Sequence, residues 1–103
     1  MANIFQKIFL SKDTCNLIDT IKHNHIESET TENSSFTATT VAYKIVTNGM
    51  EITSTMRWDN SQGHDYTLTI LNNKQPVHIK TNNGYKYAKD IFLRMQRQYY
   101  NGK

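Results

Sequence analysis

Residues 39–58, TTVAYKIVTNGMEITSTMRW, decide the fold. Asn48 and Gly49 sit between two segments that alternate apolar and polar residues, and both tolerate the positive φ that a two-residue type I′ turn requires at its central positions. The dipeptide therefore predicts a β-hairpin. Closing it there pairs Thr47 with Met50, Ile45 with Ile52, Tyr43 with Ser54, Val41 with Met56 and Thr39 with Trp58, all on one face. The other face receives Thr40, Ala42, Lys44 and Val46 against Arg57, Thr55, Thr53 and Glu51. One register sorts apolar from polar on both strands together, whereas a slip by one residue would mix them.

Upstream, residues 27–35 (ESETTENSS) contain three acids and no apolar residue, which reads as a polar loop. Before it the apolar residues have helical spacing but form two stripes, Ile4, Phe5, Ile8 and Phe9 on one face and Leu17, Ile18 and Ile21 on another. A break at Ser11, a good N-cap with Asp13 following, predicts two helices, near residues 2–10 and 12–25. Downstream, the polar residues 59–63 connect to a third strand, Tyr66 to Leu71, in which Thr67 and Thr69 alternate with apolar neighbours. Residues 72–75 read as a turn. Pro76 then opens a final edge strand, Val77 to Thr81, where its missing N–H costs nothing. After Asn82, Asn83 and Gly84 the spacing predicts a helix from Tyr85 to Tyr100 whose buried stripe is Tyr85, Ala88, Ile91, Phe92, Met95 and Tyr99.

The expectation is an α+β fold: an antiparallel four-stranded β-meander with N-terminal helices and a C-terminal helix packed on one face. Its 103 residues suit a single domain, divided into a helical segment (1–26), a polar loop (27–35), a sheet (36–81) and a C-terminal helix (82–103). No apolar run approaches the ~20 residues of a membrane helix. Lys7 interrupts the apolar opening stretch and no small-residue cleavage site follows, so a cytoplasmic location is expected. Cys15 is the only cysteine, which leaves no internal disulfide to form.

The net charge of +3 is unevenly distributed. Residues 1–65 hold five Lys or Arg against eight Asp or Glu, while residues 66–103 hold seven against one. Clustered cations at one end attract phosphates or acidic protein surfaces. On the predicted last helix Lys86, Lys89, Leu93, Arg94, Arg97 and Tyr100 fall on or beside the outward face, so apolar groups lie among cations. That is the composition of a docking surface: charges steer the approach and apolar groups hold the complex.

Catalytic patterns are weaker. Ser61, His64 and Asp65 are residue types of a hydrolytic triad, but they are crowded into one connection, without the spatial arrangement a triad needs. The loop from Asp59 to Gly63 lacks the alternating acids and bidentate Glu of a calcium loop. His23 and His25, with Cys15 two turns away, lack a fourth ligand for zinc. The four glycines are isolated, so there is no phosphate-binding loop. The sequence gives no grounds to expect an enzyme, a metal or a cofactor.

Residues 66–74 (YTLTILNNK), then 76–80 (PVHIK), then 84–89 (GYKYAK) resemble the strand, turn, strand and helix start that end double-stranded RNA-binding domains. In that family lysines at the helix start contact phosphates across a groove. The resemblance implies that role for Lys86 and Lys89. Tyr85 stands where the family has the first lysine of its pair, and the strand at Val41 to Val46 has no counterpart there. The functional expectation is a small non-catalytic binding or inhibitory protein docking on a protein partner through Lys86, Lys89, Leu93, Arg94, Arg97 and Tyr100. The rich usage of Asn, Lys, Ile and Tyr fits an AT-rich phage or plasmid genome, with a host nucleic-acid-handling or defence protein as target. The alternative is direct nucleic-acid binding by the basic helix.

Overall fold

The computed structural model describes residues 12–35, 37–79 and 81–102. Its elements follow in the order α1 (Lys12–His23), β1 (Ser28–Ser35), β2 (Ala38–Thr47), β3 (Met50–Asp59), β4 (Gly63–Asn72), β5 (Gln75–Pro76) and α2 (Gly84–Asn101). The strands form one antiparallel sheet in sequence order.

The β2–β3 hairpin has the register expected from its turn, from Thr47 opposite Met50 to Thr39 opposite Trp58. Asn48 and Gly49 take φ values of 48° and 79°. Gly49 is also approached closely: a Cβ there would lie 2.6 Å from Asn73 Oδ1. The β4–β5 turn thus rests on the β2–β3 turn, and the Asn73 amide donates to the Gly49 carbonyl at 2.9 Å.

The sheet has five strands rather than four, and the polar segment read as a loop is β1. It pairs with β2 from Ser28 opposite Lys44 to Ser35 opposite Ala38, with a bulge between Asn33 and Ser35. An edge strand has a ladder on one side only and can keep polar side chains in water, so the missing apolar alternation was no bar. Thr30 and Thr31 suit extended backbone, and the ladder with β2 supplies the hydrogen bonds. The opposite edge is shorter than expected. Only Gln75 and Pro76 form β5, and residues 77–79 lie outside any strand, although the Val77 amide still donates to the Ile70 carbonyl at 2.9 Å. The helix expected near residues 2–10 lies outside the described residues.

α1 and α2 cover one face of the sheet. In α1, Thr14, Leu17 and Ile21 are buried at helical spacing, with Ile18 partly buried beside them. α2 buries Ala88, Ile91, Phe92 and Met95. These meet Tyr43, Ile45, Ile52 and Ile70 from the sheet, and Ile26 closes the core after α1. Each fully buried side chain of this size contributes about 1.5–3 kcal/mol relative to exposure. Thr14 lies by Tyr87, and the Gln98 side chain donates to the Asn24 carbonyl just past α1, so the two helices run side by side in the same direction. The other sheet face is polar. Thr40, Lys44, Glu51, Thr53, Thr55 and Arg57 project there, and Lys44 meets Glu51 at 3.8 Å. Among the described residues, no helix is long and apolar enough to cross a membrane.

Candidate functional site

α2 begins at an Asn83 N-cap, whose Oδ1 accepts from the Lys86 amide at 3.0 Å. At 100° per residue, Lys86, Lys89, Leu93, Arg97 and Tyr100 share a stripe roughly 80° wide, opposite the buried Ala88, Ile91, Phe92 and Met95. With 1.5 Å of rise per residue the stripe is about 21 Å long. Lys86, Lys89 and Arg97 are exposed, and they form no ion pair among the described residues. Leu93, 37% exposed, lies at the middle of the stripe, and Tyr100, 55% exposed, lies at its end.

Of the six residues singled out from the sequence, the structure brings five onto this stripe and sets Arg94 to its side. Arg94 is partly buried, and its Nε donates to Asp90 Oδ2 at 3.0 Å. Its charge is therefore largely spent within the helix. Tyr100 is tied to the sheet, its hydroxyl donating to Glu29 Oε2 at 3.1 Å. The Tyr43 hydroxyl is sealed from solvent close to Glu29, Gln96 and Tyr100, and none of them meets it with full hydrogen-bond geometry. Burial, and next the Glu29 carboxylate, push the Tyr43 phenol well above the ordinary tyrosine range. Glu29 could not be connected with α2 from the sequence, because its place depends on β1 being a strand.

Tyr85 was expected in the core stripe. Instead it is 50% exposed at the flank of α2. Its ring meets that of Tyr66 edge to face with centroids 5.5 Å apart, and its hydroxyl donates to the His64 carbonyl at 3.3 Å. A helical residue about 70° from the centre of the buried stripe can turn either way, and no periodicity decides which.

His64 and Asp65 are consecutive in β4, opposite Trp58 and Arg57 respectively, so their side chains leave on opposite faces of the sheet. Ser61 belongs to the turn before them, where its amide and hydroxyl donate to Asp59 Oδ1 at 2.8 and 2.6 Å. The Ser61 hydroxyl is the chief cause that holds the Asp59 carboxyl below its usual range. The three residue types of a triad are thus close in sequence and divergent in space. His23 Nε2 lies 3.2 Å from Asp19 Oδ1, one turn back on α1. Among the described residues, no three His, Cys, Asp or Glu side chains gather as a metal site would require.

A groove of about 290 Å³ opens between β4, the chain after β5 and the start of α2, lined by apolar residues such as Leu68, Val77 and Ile79 and by polar ones such as Thr67, His78 and Thr81. It is at the lower end of small-molecule sites.

No protein-family model, curated protein or solved structure matches this chain. The likeness of residues 66–89 to the end of double-stranded RNA-binding domains therefore rests on those residues alone.

Proposed function

We propose that this is a small non-catalytic docking protein that binds a protein partner through the outward stripe of α2. The observation that carries this reading is Leu93, exposed at the middle of the stripe with Lys89 and Arg97 on either side. An apolar centre inside a charged rim is the arrangement in which interface residues contribute most, because the rim keeps water from the centre. The complementary partner has an apolar pocket bordered by acidic groups. A phosphate backbone would gain nothing from Leu93, so duplex binding along this stripe has less support. Such a surface also suits an inhibitor, which acts by occupying a partner's site and needs no chemistry of its own.

The test begins with a photo-crosslinking residue at Leu93, compared with one at Val46 on the far face of the sheet. A protein captured from Leu93 and not from Val46 is then purified and its affinity measured. Leu93→Ala should weaken binding about tenfold or more, as loss of a buried anchor does, and Arg97→Glu should act mainly on the association rate. Tight duplex binding that falls with salt at a log–log slope near −2.7, about 0.9 for each of three free cations, and that survives Leu93→Ala and Tyr100→Ala, would refute the reading.

A further inference from the structure

We infer that Tyr85, braced by Tyr66 and His64 and flanked by Lys86 and Lys89, is a stacking site for single-stranded nucleic acid. The inference goes beyond the docking stripe and does not rest on it. Tyr85 is half exposed, yet two contacts hold its ring. It meets Tyr66 in an edge-to-face contact, with an interplanar angle of 75°, while its hydroxyl is held at the His64 carbonyl. Tyr66 is anchored in turn, 5.6 Å from Phe92 of the core and 6.3 Å from the exposed His64 ring, to which it is nearly parallel at 13°. The result is a surface aromatic ring held by two contacts before any ligand arrives, so less side-chain entropy is lost on binding than for a ring without them.

The charge around this ring selects the occupant. Lys86 follows Tyr85 directly, and Lys89 is its neighbour one turn along α2. Both are exposed, and the nearest acid on the helix, Asp90, is occupied by Arg94. A flat apolar face beside two cations fits a ligand in which planar rings alternate with phosphates. A duplex hides its base faces, whereas a single strand offers them, and stacking serves any base because every base has a π-face. A purely anionic partner would leave the ring unused, and an apolar peptide would leave the lysines unused.

The test uses the full chain with fluorescein-labelled oligothymidylate and oligouridylate, followed by fluorescence anisotropy over a range of salt. Binding to at least one oligonucleotide is expected at low salt. Tyr85→Ala should weaken it at least about fivefold, the lower end of the loss of one base–aromatic stack. Tyr85→Leu retains an apolar contact with Tyr66 without the π-face and should be as weak, while Tyr85→Phe, which keeps the π-face and loses the bond to the His64 carbonyl, should bind between the parent and Tyr85→Leu. Replacing Lys86 and Lys89 together by Gln should flatten the log–log salt slope by about 1.4, at about 0.7 per phosphate contact on a single strand. Arg57→Gln, a cation on the far sheet face, should change nothing. Melts of each variant confirm the fold. The proposal is overturned if neither oligonucleotide binds, if Tyr85→Leu binds like Tyr85→Phe, or if heparin competes fully while Tyr85→Ala has no effect.

Discussion

Replacing Gly49 by Ala tests two features of the hairpin together: the left-handed turn and the seat of Asn73 upon it. At φ 79° an L-residue is strained, by roughly 1–2 kcal/mol. The new Cβ would also fall 2.6 Å from Asn73 Oδ1, so the Asn73 side chain must turn away, at about 0.5–1.5 kcal/mol if it leaves its rotamer. Alanine restricts the unfolded chain, which returns about 0.4–1 kcal/mol. The net loss should be about 1–2 kcal/mol, a fall in melting temperature of roughly 5–15 °C for a domain of this size. Urea denaturation followed through Trp58, the only tryptophan, measures it directly. The slope with denaturant should not change, because the exposed surface does not. The cycle with Asn73→Gly separates the two causes, since the clash portion should vanish in that background while the φ portion remains. A parent-like midpoint for Gly49→Ala would refute the left-handed turn, and additive effects in the cycle would refute the contact between the two turns.

Ser54 is fully buried beneath α2 and its hydroxyl has no hydrogen-bond partner among the described residues, so Ser54→Ala should leave stability unchanged or raise it by up to about 1 kcal/mol in the same assay. A loss larger than that would show that the hydroxyl is satisfied. Burial is the first cause that raises both the Tyr43 and the Tyr87 phenols. The folded state therefore disfavours their ionised forms. The stability linked to them is fully present below the unfolded tyrosine pKa of about 10 and is lost as pH rises through and above it. Denaturation midpoints should fall above about pH 10, less steeply in Tyr43→Phe, and an unchanged slope in that variant would discard the assignment to Tyr43.

The sequence alone determined the elements in which a short repeat and a boundary signal agree. For β2 and β3, Asn48-Gly49 sets the turn and the period of two sets the faces, so the cross-strand partners follow without reference to the rest of the chain. For α2, one apolar stripe and the Asn82-Asn83-Gly84 boundary set both the helix and the side it buries, and the structure places its N-cap at Asn83. The outward positions of Lys86, Lys89, Leu93 and Arg97 were legible for the same reason, being what remains once the buried side is known. Tertiary structure alone decided the rest. Segment 28–35 has no apolar alternation, and it is a strand because the edge of β2 offers a ladder to whichever chain lies beside it. With that strand in place Glu29 reaches Tyr100, a contact spanning 71 residues that no local pattern encodes. Tyr85 stands at the margin of its helix, where periodicity is indifferent, and its outward place depends on Tyr66 and the His64 carbonyl lying across from it. Local physics fixes a residue's conformation and its side of an element; which other element comes to meet it is a property of the folded whole.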